Sequence, residues 1–415
     1  MAAHAEANDA AVLRQLLEVE RFPADLDFRR LHQGRLSRLQ EQMRTHQLPV
    51  CLFFNGANIR YATGSGAMCA WAESAFARFC IVPADGDPIL FEAESSAHVE
   101  GRLVSDLRPA HYWYMEGSPT VEYVRRWAAE VKSVLAELGL AGQPLAVDKL
   151  DTVGFLALQD AGIRIVDSSP ATVDAREVKT PEEVVLMRVN GAIGHAMLTD
   201  FEAAIQPGVR ECELMAALSE SLIRHRGEYL FTGLVASGPN TNPWGTEATS
   251  RAVEPGDLVG VDTDGVGYEG YVIDVSRTFL CGDGEPTARQ RAAYAAARDQ
   301  LEGMADVLRP GLTFDEFARA SPALPAHYHE QRYYARAHQA GLEDEGPSVF
   351  YSEDVGEHAM VASDRSIQPN MVFCLEAYAG EVGGPDGVKL ENQILVTEAG
   401  CELLCTFPYD PRLGG

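Results

Sequence analysis

The stretch Leu258-Val-Gly-Val-Asp262-Thr-Asp264-Gly-Val-Gly-Tyr-Glu-Gly-Tyr-Val-Ile-Asp274 carries side chains that could do chemistry. Leu258–Val261 is apolar and reads as a buried strand running straight into Asp262 and Asp264. Alternate strand residues face the same way, so these two carboxylates share a face. Gly265, Gly267 and Gly270 permit a turn, and Tyr271–Leu280 reads as the returning strand. Asp274 is thereby expected across the ladder from the Asp262/Asp264 pair. Farther on, Glu376 ends the apolar run Met371–Glu376, and Glu391 sits inside Lys389-Leu-Glu391-Asn-Gln-Ile-Leu-Val. A glutamate within an apolar strand is costly unless it is paired or ligates a metal. His338, in Tyr333-Tyr-Ala-Arg-Ala-His338-Gln-Ala-Gly341, can supply a nitrogen ligand. Taken singly, each has a plainer reading: a core histidine, a solvated Asp-x-Asp loop end, a charge at a sheet edge. Together they form an oxygen-rich, borderline-hard donor set suited to iron, manganese, cobalt or zinc. Carboxylates gathered this closely also repel unless a cation offsets them.

Positioning such a set requires strands held in register by covering helices. Strand patterns fall around 231–237, 258–264, 271–280, 371–379 and 388–396. Thr180-Pro181-Glu182-Glu183 has a capping threonine, proline at the first helical position and glutamate three residues after the cap. It opens a long helix to about Ile205, which Gln206-Pro207-Gly208 stops. Thr287-Ala-Arg-Gln290 and Thr313-Phe-Asp-Glu316 repeat the signature and open two more. This half is therefore α+β, with helices covering a curved, mainly antiparallel sheet.

The N-terminal part reads as a small α/β domain. Val50–Phe54 is a strand ended by Asn55-Gly56, and Phe79–Val82 and Ile89–Phe91 flank Ala84-Asp85-Gly86-Asp87 as a hairpin-like pair. Apolar residues at 124, 127, 128, 131, 135 and 138 mark an amphipathic helix from Val121 to Leu138, stopped by Gly139. Leu145–Val147 and Ile163–Val166 read as further strands. A boundary near Ser168–Lys179 gives domains of residues 1–175 and 176–415.

Composition narrows the partners. The 34 basic and 61 acidic residues give a formal charge of −27. That opposes nucleic acid and anionic membrane, which both need a positive face. No run of 18 apolar residues suits a membrane span, and the acidic N-terminus lacks the apolar core of a secretory signal. A cytoplasmic enzyme is the expectation. The eight cysteines form no C-x-x-C pair, so zinc-finger and thioredoxin readings fail, and buried reduced thiols are expected.

The ordered set Asp264, Asp274, His338, Glu376 and Glu391 resembles the binuclear site of the pita-bread superfamily of methionine aminopeptidases, prolidases, aminopeptidase P and creatinase. The resemblance covers nearly the whole chain. It implies an α+β C-terminal pita-bread (creatinase/aminopeptidase-like) domain, a smaller α/β creatinase-like N-terminal domain, and two divalent transition-metal ions. Three departures stand out. Residue 263 is threonine where the peptidases place their first carboxylate, and Asp262 and Asp264 flank it, which adds Asp262 to the ligand set. The peptidases' catalytic histidine before the first strand falls on or beside Trp244–Gly245. Their second histidine, seven residues past the ligand histidine, falls on Glu345.

These departures are similar to those of the dimethylsulfoniopropionate lyases of the same fold. Asn58-Ile-Arg-Tyr-Ala-Thr63, Ala236-Ser-Gly-Pro-Asn-Thr-Asn-Pro-Trp244, Asp262-Thr-Asp264 and Asp274-Val-Ser-Arg277 look like that group's. The resemblance implies Tyr333 and Asp344 as catalytic residues, with Asp344 the base. It also implies Trp71 as a substrate contact, while His338-Gln339-Ala340-Gly341 departs from the group's usual His-Gly-x-Gly. A sulfonium is a soft cation that favours aromatic faces, a role open to Trp71, Trp244 and Tyr333. The expected reaction is metal-assisted β-elimination on a small zwitterionic or carboxylate substrate. Iron is the first expectation for the metal, with zinc and manganese as alternatives, and a homodimer is the expected assembly. Hydrolysis of a C–N bond, with Glu376 as proton shuttle, and a catalytically inactive binding protein are the competing readings.

Overall fold

The computed structural model describes residues 26–66, 76–92, 103–113, 117, 120–354 and 364–414. They fall into two compact units, Leu26–Arg176 and the stretch from Glu177 onward.

The first unit runs α1 (Phe28–Thr45), β1 (Val50–Phe53), α2 (Gly56–Thr63), β2 (Phe79–Pro83), β3 (Ile89–Glu92) and β4 (Asp106–Pro109). It continues with α3 (Thr120–Glu137), β5 (Leu145–Val147), α4 (Thr152–Asp160), β6 (Ile165–Asp167) and α5 (Ser169–Glu177). The strands form one mixed sheet in the order β4-β3-β2-β1-β5-β6. The hairpin β2–β3 pairs antiparallel as its turn sequence implies, whereas β5 joins β1 in parallel. Asn55-Gly56, which ends the strand as read from sequence, also starts a helix. The Asn55 side chain accepts from the Asn58 N–H, and left-handed Gly64 ends the helix. The segment read as a domain boundary, 168–179, is largely α5. Val124, Trp127, Ala128 and Val131 of α3 pack on Leu52, Phe79 and Phe91 to build the core.

The second unit holds the acidic residues. It runs α6 (Pro181–Ala204), α7 (Glu211–Arg224), β7 (Tyr229–Leu230), β8 (Val235–Ser237), β9 (Leu258–Asp262), β10 (Gly265–Val266), β11 (Val272–Ile273) and β12 (Ser276–Leu280). Then follow α8 (Ala288–Val307), α9 (Phe314–Ala320), β13 (Ala337–Ala340), β14 (Asp344–Val349), β15 (Val372–Gly380), β16 (Gly387–Thr397) and β17 (Gly400–Leu403). All three threonine-led capping boxes close as read from sequence. The strands pair antiparallel in three sheets, β12-β9-β8, β11-β10-β7 and β14-β13-β15-β16-β17. Helices α6 and α7 cover the first of these through Ile193, Phe201 and Leu218, and α8 and α9 cover the largest through Tyr294, Leu301 and Phe317.

The split between the small sheets has a local cause. Thr263 Oγ1 donates to the Ile273 carbonyl and accepts from the Val275 N–H, in place of a regular ladder. Asp264 takes a positive φ of 34°. The register is unchanged across the interruption: Asp262 stands opposite Ser276 and Gly265 opposite Ile273, so Asp274 lies across from Asp264. Asp274 thus stands across from the Asp262/Asp264 pair, as expected from the sequence. The expectation of buried thiols is corrected at two residues: Cys212 is exposed and Cys401 half-buried, although every described cysteine is free.

A second carboxylate, outside the acidic cluster, shapes its approach. Glu211, at the start of α7, is fully buried and accepts from Ser237 N–H and Oγ, Asn240 Nδ2, and Thr249 N–H and Oγ1. It clasps both ends of the loop that carries Trp244. Burial alone would raise its pKa, yet these donors outweigh that and hold it below the usual glutamate value. Its folded pKa is depressed, so its stabilisation is present above the unfolded pKa of about 4.3 and is lost as pH falls through the folded value. Glu211→Ala is expected to cost about 3 kcal/mol in denaturant titration at neutral pH, by orphaning buried donors. A change under about 0.5 kcal/mol would remove the clasp from the account.

Candidate metal centre

The interrupted ladder and the large sheet deliver their acids to one place. Asp262 ends β9, and Asp264 and Asp274 occupy the break. Glu376 on β15 stands directly opposite Glu391 on β16, an in-register like-charge pair that is repulsive on its own. His338 on β13 pairs in register with Cys374, two residues before Glu376 on the same face of β15. All are buried.

The His338 ring is set by its neighbour. Nδ1 lies 3.0 Å from the Gln339 carbonyl oxygen, which leaves Nε2 turned to the acids. Nε2 is 3.3 Å from Asp274 Oδ2, 3.4 Å from Glu376 Oε1 and 3.9 Å from Glu391 Oε1. Two donor groups result, Asp274/His338/Cys374/Glu391 and Asp262/Asp264/Asp274, each with one atom per residue within 4.8 Å of the others. They share Asp274. Thr232 donates its hydroxyl to Asp264, and buried Arg277 donates to the Glu391 carbonyl, tying β16 to β12.

Electrostatics disfavour the fully ionised set without cations. Burial, with neighbouring carboxylates, pushes Asp264 up to about 9 and Asp274 well above the usual range. Burial opposes charge on His338, but Glu376 and the other acids outweigh it and raise the ring to about 10. Asp262 Oδ1 and Glu391 Oε1 are buried with no hydrogen-bond partner. Orphaned oxygens of this kind cost free energy that a coordinated ion removes. The donors fit metal ions, as the sequence pattern implies.

Sequence reasoning passed over two residues here. Lys389 is fully buried in the cluster, 3.2 Å from Asp262 Oδ2 and 2.9 Å from Glu391 Oε2. It also lies 2.7 Å from Glu376 Oε2, at angles that do not make a hydrogen bond. Burial disfavours its charge, but Asp262, Glu376 and Glu391 outweigh that and keep it cationic. A signal existed: Lys389 lies inside an apolar strand, two residues from Glu391 and so on the same face. Cys374 has the same relation to Glu376.

The residues expected around the reacting centre divide. The Tyr333 ring centroid lies 4.8 Å from Lys389 Nζ, and burial pushes its hydroxyl pKa up. The Trp244 ring is 5.9 Å from the same atom and lies so close to Gly260 that a Cβ there would come within 2.7 Å of the indole. Asp344 opens β14, paired with Ala340, and is open to solvent while lying within the field of the cluster. Burial of its surroundings raises it to about 6, against the lowering effect of His338. Trp71 lies outside the described residues. Glu345, at the position of the peptidases' second histidine, pairs with Lys179 at 2.8 Å, both nearly inaccessible.

Residues 185–398 match the model of metallopeptidase family M24, and residues 35–178 match that of the creatinase/prolidase N-terminal domain. The chain belongs to the metallopeptidase family M24. This M24 chain is 33% identical over 401 residues to dimethylsulfoniopropionate lyase DddP of Roseovarius nubinhibens, covering 94% of the chain and 89% of that protein. The enzyme of the same name from Roseobacter denitrificans is 32% identical over 420 residues, covering 96% and 93%. Among solved structures, an Xaa-Pro dipeptidase from Bacillus anthracis superposes with a TM-score of 0.73 at 21% identity, over 91% of this chain and 99% of that one. The fold is thus a creatinase-like N-terminal domain followed by a pita-bread domain, and the protein is a metal-dependent enzyme.

Reconstituted protein is expected to hold about two transition-metal ions per chain by mass spectrometric metal analysis. Asp264→Ala or Glu391→Ala should lower that ratio, and full occupancy in either variant would show that the ligands are misassigned. Metal affinity should also rise with pH. Protons held near neutrality on Asp264 and His338 must leave as an ion enters. Calorimetry in buffers of different ionisation enthalpy reads this release, and buffer-independent heats would contradict it.

Proposed function

We propose that the chain is a binuclear-metal lyase that cleaves dimethylsulfoniopropionate, or a related β-substituted propionate, to dimethyl sulfide and acrylate. One observation carries the reading: its similarity to the two lyases spans nearly its whole length. The placement of Tyr333 and Asp344 around the acidic cluster supports it.

Bound metals would supply Lewis acidity to the substrate carboxylate, held by Asp262, Asp264, Asp274, His338, Glu376 and Glu391, which makes the α-proton more acidic. Asp344, at the open edge of the cluster, accepts that proton. Its surroundings raise its pKa in the metal-free protein, which opposes the lowering that bound cations would bring. The α C–H electrons form the C=C bond as the C–S bond breaks, and the sulfur leaves with its electron pair as dimethyl sulfide. Tyr333 and Trp244 border this space with aromatic faces. Lys389 already stands on one side of both rings, so the substrate cation belongs on the sides turned away from it. Trp71 is the third aromatic assigned to the substrate.

The acidic centre suits a small zwitterion, and the account extends to a cytoplasmic homodimer using iron, zinc or manganese. The hydrolase reading rests on family membership and on Glu376 as proton shuttle. It is disfavoured because Glu345 fills the second histidine's position and is neutralised by Lys179.

Headspace gas chromatography should detect dimethyl sulfide from dimethylsulfoniopropionate. Asp344→Ala should lower that rate by roughly 10²–10⁴-fold without metal loss. Turnover of a proline dipeptide with no sulfide would replace the lyase by the hydrolase, and neither activity in metal-loaded protein would favour a binding role.

A further inference from the structure

Lys389 has no part in the elimination drawn above, yet it sits at the heart of the cluster. Its partners are Asp262 Oδ2 at 3.2 Å, Glu391 Oε2 at 2.9 Å, Glu376 Oε2 at 2.7 Å and Ser276 Oγ at 2.7 Å. The two glutamates divide their oxygens between two poles. Oε2 of each turns to Lys389, whereas Oε1 of each turns to His338 Nε2, at 3.4 and 3.9 Å. Asp262 is split in the same way, with Oδ2 on the lysine and Oδ1 unpartnered. Ser276 closes the arrangement by accepting from Lys389 and donating to Glu391 Oε2 at 2.9 Å.

We propose that Lys389 is a positioning cation of the metal centre: it holds the outer oxygens of Asp262, Glu376 and Glu391 so that their inner oxygens face the ions, and it lowers the centre's affinity for those ions. The proposal rests on the metal-binding reading of the cluster and is independent of the substrate. Two opposed effects follow from one fixed charge. In the metal-free protein the ammonium offsets repulsion among buried carboxylates and stabilises the fold. In the loaded protein it faces other cations across a short distance in a poorly screened interior, which weakens their binding. A lysine that merely filled space would do the first by packing and would leave the second untouched.

The test uses full-length protein stripped with chelator and titrated with manganese(II). Lys389→Met removes the charge and keeps most of the volume. The metal-free variant should melt below the metal-free wild type. Its manganese affinity should be on the order of tenfold or more higher, so its rise in melting temperature on loading is larger. Lys389→Arg, which restores the charge, should return affinity toward the wild type. An equal fall in melting temperature with and without manganese, at unchanged affinity, would reduce Lys389 to packing and overturn the proposal. Should Lys389→Met fold in neither state, Lys389→Gln carries the same comparison, since its amide can still donate to Ser276 and the carboxylates. Wild-type protein that binds no manganese, zinc(II) or iron(II) would instead sink the metal reading itself.

Discussion

Repulsion among buried carboxylates is the constraint on which the catalytic unit depends. Asp262, Asp264, Asp274, Glu376 and Glu391 are gathered where water cannot screen them, with Glu376 and Glu391 in register on adjacent strands. No arrangement of apolar neighbours relieves this, so bound protons or cations must. The chain supplies one itself in Lys389 and leaves Asp262 Oδ1 and Glu391 Oε1 for others. Metal chemistry is then a consequence of the fold's own electrostatics, because occupying those oxygens is what makes the folded cluster favourable.

Backbone irregularity sets the geometry. Regular pairing through residues 258–280 would put Asp274 in an uninterrupted ladder. Thr263 interrupts it by bonding to Ile273 and Val275 without shifting its register, so Asp264 and Asp274 stay opposite one another and close to Asp262. The large sheet is regular by comparison, and its pleat alone aligns Cys374 with Glu376 and Lys389 with Glu391. Glu211 does for the Trp244 loop what Thr263 does for the acids, using one polar side chain to hold a path that no ladder would.

How much of this could be read beforehand depends on how local the signal is. The acids stood out because each interrupts or ends an apolar run, and the capping boxes because their residues lie within one turn. The α+β and α/β character of the halves followed from the same periodicities. The position of Asp274 followed from the strand-turn-strand pattern, whereas the interruption at Thr263 did not, because a side chain standing in for a main-chain bond leaves no pattern in sequence. Asn55-Gly56 was legible as the end of a strand but not as the start of a helix, because asparagine serves equally in turns and as a helix cap, and only the downstream Asn58 N–H decides. Lys389 was overlooked although its place in an apolar strand was visible, since a lone lysine there more often reaches solvent than an acid. The partner of Glu345 could not be foreseen, because Lys179 lies far away in sequence.

The central claim is that the acids are a cation site divided between a fixed ammonium and exchangeable metals. Anomalous diffraction from a metal-loaded crystal tests it most directly. The account predicts two peaks flanking Asp274, one toward His338 and Glu391 and one toward Asp262 and Asp264, with the Lys389 ammonium still on the outer oxygens. Crystals loaded under the same conditions that show no peak among these residues, with Lys389 the sole cation there, would contradict it.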